Sequence, residues 1–321
     1  MTTAMSLEAA HDRAETILDT IAASVIGERR FFEEVLIGIL ARGHVLMEDV
    51  PGTGKTLTAR AMSTALGLEF SRIQFTPDLL PADVTGSHVF NEEASTFEFI
   101  PGPIFANIVL ADEINRAPPK TQAAMLEAME EGQVTIETET YALPQPFMVI
   151  ATQNPIEQEG TFPLPEAQLD RFLVKTSMGF ADIDGYTELL RRRAGRETQT
   201  PPINPLLEAG EIEEMQRTVE TGVHVEEDVL SYIAEIATSA ANDHRVRVGI
   251  SPRGAQRLFE ASRAQAVLQG RDYVTPDDVR DVTEPVLAHR LVLTAESSVQ
   301  SIKKRDVIRD VLEEIAVPTV A

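Results

Sequence analysis

The sequence of 321 residues predicts an α/β fold: a parallel sheet between helices, interrupted by two inserted β-hairpins and followed by a C-terminal all-helical part. Three observations carry this. Apolar strand-like runs alternate with helical ones from residue 44 to about 180, the order required by a parallel sheet covered on both faces. Within that stretch, 86–103 and 132–146 show strand–turn–strand patterning that does not continue the parallel order. Beyond about residue 180 the strand patterns stop and helical ones remain. At this length two domains are a better expectation than one, and the change of pattern divides them into 1–180 and 181–321.

Taken in order, residues 6–40 read as helices broken at "SVIGERR", with helical spacing of apolar positions in "FFEEVLIGIL". "HVLMEDV" is a short apolar run ending in a turn, hence a strand. "TGKTLTARAMSTALG" is helical, "EFSRIQF" and "NIVLADE" are strands, and "PKTQAAMLEAMEEG" is a helix. "FMVIATQN" is a strand, "EAQLDRF" a short helix and "FLVKTSM" the last strand. In the second half five helical patterns follow, one of them opened by Thr275 as N-cap with Pro276 at the first helical position. "RETQTPPINPLLEAGE" (196–211) is a Pro-rich connector.

Composition excludes several classes of chemistry. With no Cys there are no disulfides, thiol nucleophiles or Cys-based zinc sites, and the six His show no paired ligand spacing. A net charge of −23 argues against a nucleic-acid groove, where phosphates are met by Lys and Arg, so partners are expected to be proteins or a small ligand. No run of apolar residues is long enough to span a membrane and the N-terminus lacks a secretory pattern, so a cytoplasmic protein is expected.

The chemistry begins at "EDVPGTGKTLTARAM", residues 48–62, a phosphate loop running into a helix. Asp49 stands where the first Gly of G-x-x-x-x-G-K-[ST] is expected, but that position ends the strand and needs only β geometry. Gly52 and Gly54 let the backbone N–H groups turn inward, Lys55 can reach terminal phosphates, and Thr56 can ligate Mg²⁺. Thr53 and Leu57 complete the set expected to contact a nucleotide. "NIVLADE" delivers Asp112 and Glu113 at a strand's carboxyl end, where open parallel sheets bind ligands. Asp112 suits the Mg²⁺ shell, and Glu113 suits polarisation of an attacking water. Asn154 ends "VIATQN", where its amide can bridge the γ-phosphate and the water, or simply form an Asn-Pro turn. Arg171 in "LDRF" and Arg253 in "SPRG" are candidate cations for the transition state, supplied from a neighbour or a lid.

This order of motifs resembles the AAA+ ATPases, and "RIQFTPDLLPADVTG", "GPIFANIVLADEINRAPPKTQAAMLEAMEE" and "IATQNPIEQEGTFPLPEAQLDRF" are similar to the MoxR branch over roughly residues 20–290. The resemblance implies a P-loop AAA+ core with a helical lid, and ATP with Mg²⁺ bound between subunits of a ring, usually a hexamer. It implies that Lys55 and Thr56 belong to Walker A and Asp112 and Glu113 to Walker B. By the same resemblance Asn154 is sensor 1, Arg171 an arginine finger acting in trans and Arg253 sensor 2. It also implies chaperone-like maturation of partner complexes, often with a protein carrying a von Willebrand factor A domain.

Competing readings are a magnesium-chelatase-like motor subunit and a nucleotide-gated scaffold that never hydrolyses. A DNA-moving ring is disfavoured because neither hairpin segment contains Lys or Arg.

Overall fold

The computed structural model describes residues 4–50, 52–93, 95–154, 160–180, 183–195, 203–208 and 210–318. Two helices, α1 (Leu7–Ser24) and α2 (Arg29–Leu40), lead into β1 (His44–Glu48), and the loop after it opens α3 (Lys55–Ala65). There follow β2 (Phe70–Gln74), the short α4 (Pro81–Thr85), the hairpin β3 (Gly86–Asn91) and β4 (Thr96–Pro101), then β5 (Ile108–Asp112) and α5 (Pro119–Glu131). A second hairpin, β6 (Gln133–Ile136) and β7 (Glu139–Ala142), precedes β8 (Met148–Gln153), α6 (Glu166–Leu169) and β9 (Phe172–Thr176).

The sheet runs β2-β5-β8-β1-β9, every neighbour parallel. Strands β5, β8, β1 and β9 are buried on both sides because both faces are covered, while the edge strand β2 keeps polar side chains, and side chains of period two divide between two cores. Val45, Met47, Ile108, Leu110 and Ile150 face a cluster built with α1, α2 and α3. Leu46, Val109, Ala111, Val149 and Ala151 face another built with α4 and α5. Each such buried Val, Leu, Ile or Met side chain contributes about 1.5–3 kcal/mol relative to exposure. The register aligns Glu48 with Gln153 and Gln74 with Asp112, so the carboxyl ends of four strands meet at one edge of the sheet.

The remaining chain forms α7 (Ile183–Ala194), α8 (Glu211–Gly222), α9 (Glu227–Asn242), β10 (Val246–Val248), α10 (Pro252–Leu268), α11 (Pro276–Leu287), β11 (Val292–Leu293), α12 (Ala295–Val299) and α13 (Lys304–Glu314). The helical character matches expectation, with additions: α8 and α12 lie outside the five expected patterns, and β10 and β11 pair as a small antiparallel ladder. Strands of three and two residues are too short for their period to register in a sequence window. Thr275 caps α11, accepting from the Asp278 N–H at 3.3 Å while the Asp278 carboxylate returns a bond to the Thr275 N–H at 2.8 Å. Half of the connector at 196–211 lies outside the described residues. Apolar residues of α8, α10, α11 and α13 join the same cluster as α1 and α2, so the core continues from one half of the chain into the other.

The two hairpins touch each other. Phe99 of β4 stacks on Tyr141 of β7 at 4.1 Å, and His88 of β3 lies 3.1 Å from the Tyr141 hydroxyl. At the outer end of β3–β4 the rings of Phe90 and Phe97 meet edge to face, and both remain exposed.

Candidate functional site

The loop between β1 and α3 turns on Gly52 (φ 87°) and Gly54 (φ 107°), left-handed conformations that a side chain would strain. Gly54 caps α3, so the helix begins at Lys55 with its free N–H groups facing the loop. Lys55 Nζ donates to the carbonyls of Asp49 and Val50 at 2.7 and 3.0 Å. Burial lowers the pKa of its ammonium, while Asp49, Asp112 and Glu113 pull the other way.

Asp49 is the buried anchor of this loop. Its carboxylate accepts from Ser177 Oγ at 2.8 Å and from the N–H groups of Met178 and Gly179 at 2.6 and 3.1 Å. It thereby ties the segment leaving β9 to the end of β1. Asp49 keeps an ordinary negative φ, as expected, but its carboxylate has a task that a glycine could not perform.

Across the pocket, Asp112 accepts from Thr152 Oγ1 at 2.6 Å on one oxygen and from Arg72 on the other. Glu113 has φ 58°, an unfavourable region for a side-chain-bearing residue, costing of order 1–3 kcal/mol. Its N–H donates to Thr152 Oγ1 at 2.8 Å, and its Oε2 accepts from Gln74 and Arg116 at 2.8 and 3.0 Å. Asn154 is buried beside them at the end of β8.

Gly52, Gly54, Lys55, Thr56, Asp112, Glu113 and Asn154 line one pocket of about 360 Å³. Gly52 also opens onto a second, of about 440 Å³, whose walls include Thr53, Ile26, Met178, Phe180 and Tyr186. One chamber thus offers charge and hydrogen bonds and the other apolar contact, joined at the glycine loop. Leu57 turns its side chain toward the core instead.

Arg171 and Arg253 line neither chamber. Both reach Glu130 near the end of α5: Arg171 through Nε and Nη2 at 3.0 and 2.8 Å, Arg253 through Nη1 at 2.9 Å. Arg171, then Arg253, hold the Glu130 carboxyl below the usual range. Ser251 caps α10 and Pro252 occupies its first turn, which sets Arg253 at the helix start. Arg290, almost fully buried, clasps the strand-entry segment around Arg171 by donating to the Asp170 carbonyl and carboxylate at 2.9 Å and to the Phe172 carbonyl at 2.8 Å. Desolvation lowers its pKa to about 10, against the pull of Asp170.

The family described as "ATPase family associated with various cellular activities (AAA)" matches residues 44–174, and the AAA lid domain matches 238–311. The chain is 45% identical to the protein YeaC of Bacillus subtilis (strain 168), over 92% of this chain and 91% of that one. It is 40% identical to Chaperone MoxR1 of Mycobacterium tuberculosis, over 92% of this chain and 80% of the relative. The chain belongs to the MoxR family of AAA+ ATPases. The crystal structure of a Cytophaga hutchinsonii protein superimposes on this MoxR-family chain with a TM-score of 0.89 at 36% identity, covering 97% of this chain and 96% of that one.

Within this MoxR-family fold, sequence reasoning passed over Arg72, Gln74, Thr152, Glu130 and Arg290. Alternation along "SRIQF" was the available signal for the first two, since residues two apart share a face that ends beside the acidic strand. Among the described residues no cluster of three His, Asp or Glu side chains could hold a metal. Thr56 and Asp112 are hard oxygen donors on one pocket wall, and Mg²⁺ is commonly held by one or two protein oxygens completed by phosphate and water. The donor set fits Mg²⁺. Among the described residues no helix is long and apolar enough to cross a membrane.

Proposed function

We propose that this chain binds ATP with Mg²⁺ and hydrolyses it at a seam between two copies in a ring, six being the usual number for such rings. The observation that carries this is the separation of Arg171 and Arg253 from the pocket that holds Lys55, Asp112, Glu113 and Asn154. A triphosphate in that pocket meets Lys55 and the start of α3 on one side. The two arginines, side by side on Glu130, are presented to a neighbour's pocket, and Arg253 therefore acts in trans together with Arg171.

In this reading Lys55 leaves the carbonyls of Asp49 and Val50 for the phosphate oxygens, and the apolar chamber takes the base. Thr56 and Asp112 would hold Mg²⁺, which would supply charge neutralisation for the phosphates when bound. Glu113 polarises a water that attacks the γ-phosphorus; the bond to the β–γ bridging oxygen breaks, giving ADP and phosphate. Asn154 orients water and γ-phosphate together. Arginines in trans supply factors of roughly 10³ to 10⁵ in such sites.

The work done is chaperone-like maturation of protein partners, a von Willebrand factor A domain protein among them. Because Phe99 and Tyr141 stack across the two hairpins, rotation of a subunit moves both as one body. The exposed rings of Phe90 and Phe97 give that body an apolar tip for a partner. Mixing Lys55→Ala protomers with Arg171→Ala protomers tests the seam: each alone is inactive, and mixed rings regain turnover. Mixtures that co-assemble and stay inert would overturn the reading.

A further inference from the structure

Strand β2 brings a cation into the nucleotide pocket that no phosphate loop requires. Arg72 donates through Nε and Nη2 to Asp112 Oδ2, at 3.1 and 2.6 Å. The same Nη2 donates to Gln74 Oε1 at 2.6 Å, and Gln74 Nε2 donates onward to Glu113 Oε2 at 2.8 Å. Arg72 and Gln74 stand two residues apart on one face of the strand, and the parallel register sets Gln74 opposite Asp112. Both carboxylates at the end of β5 are therefore connected by side chains of a single neighbouring strand. Thr152 Oγ1 already occupies the other oxygen of Asp112, at 2.6 Å. Arg72 thus covers the oxygen of Asp112 that a metal ion would use.

We propose that Arg72 is a positioning residue that competes with the divalent cation for Asp112 Oδ2. This rests on the ATPase reading above. The Arg72 side chain is 45% exposed and that of Asp112 only 11%, so Arg72 can swing into solvent once an incoming cation takes over the buried Asp112 charge. The pair is open to water on its arginine side, where screening keeps such contacts near about fivefold in an equilibrium, and a divalent cation with a triphosphate brings more positive charge to Asp112 than one guanidinium does. Two donors of Arg72 on one carboxylate oxygen set the guanidinium where an arriving metal ion must displace it.

The test is a metal titration of the intact chain with Mn²⁺ and a non-hydrolysable ATP analogue, following free Mn²⁺ by electron paramagnetic resonance. Replacing Arg72→Leu should lower the half-saturating Mn²⁺ concentration by about fivefold. Arg72→Lys keeps the charge but loses the fork, and should fall between that variant and the wild type. Gln74→Leu removes one bond of Arg72 and keeps both of those to Asp112, so its midpoint should lie nearer the wild type than that of Arg72→Leu. Should Arg72→Leu not fold, a lowered midpoint in Arg72→Lys decides the matter alone. Midpoints equal to the wild type, or raised, in the Arg72 variants would overturn the competition while leaving the ATPase reading intact. A wild type that takes up no Mn²⁺ with the analogue would overturn both.

Discussion

Arg171 grips a single carboxylate oxygen of Glu130 with two donors, Nε at 3.0 Å and Nη2 at 2.8 Å. Because Arg253 holds the other oxygen, a subunit on its own keeps both arginines neutralised. Entering a neighbour's pocket means breaking two partly exposed ion pairs, each worth roughly 0.2–1 kcal/mol. Glu130→Gln should therefore lower the protein concentration at which ATPase activity is half-maximal by a few-fold, about 1 kcal/mol in all. A rise in that concentration would mean that Glu130 aims the arginines instead of restraining them.

Asp49→Gly brings the loop closer to the usual phosphate-loop pattern and should nonetheless weaken the protein. The Met178 and Gly179 N–H groups lose a charged acceptor, a loss of about 2–3 kcal/mol. Thermal denaturation should show the midpoint lowered by several degrees. An unchanged midpoint would remove the anchoring role assigned to this carboxylate.

Gln74→Leu takes one of two side-chain donors from Glu113 Oε2 and leaves Arg116 in place. Phosphate release at saturating ATP should rise several-fold, since a hydrogen bond to a carboxylate is worth about 1.5–3 kcal/mol and water and Arg116 replace part of it. A drop in the rate with nucleotide affinity preserved would show Gln74 to be a helper of Glu113 and not its restraint.

The pH dependence of stability should carry the signature of His44. Its Nε2 lies 2.9 Å from the Met129 carbonyl and its Nδ1 accepts from the Val149 N–H at 3.0 Å, which fixes a neutral ring. Burial pulls its pKa from 6.5 to about 4; the bond to Met129 opposes this, and the charges of Arg257 and Arg253 add to it. Between these values the unfolded chain binds the proton and the folded chain does not. Stability is thus fully present above pH 6.5, declines as pH falls toward 4 and is lost by an amount on the order of 3 kcal/mol below it. Proton NMR of the His44 ring should show no titration near pH 6.5; a midpoint there would sink the prediction.

Much of the nucleotide pocket was legible because its chemistry is written locally. Gly52, Gly54, Lys55 and Thr56 sit within one turn of chain, and Asp112, Glu113 and Asn154 stand at the ends of apolar runs whose alternation with helices implies a common edge. Arg72 and Gln74 were not legible, since their meaning depends on β2 lying beside β5 in one register. A shift by one residue would turn both away. Arg171 and Arg253 could be named from their motifs, but not their shared partner, because Glu130 lies on a different helix.

By itself the sequence determined the alternation of strands and helices, the two hairpins, the helical second half and the residue types of the pocket, since periodicity, capping and turn chemistry act over a few neighbouring residues. Only the tertiary structure decided that Asp49 fastens the segment after β9, that Arg290 braces the chain around Arg171, and that one strand's side chains join Asp112 to Glu113. Those bonds act over about 3 Å between residues distant in the chain, and their existence depends on strand order and register.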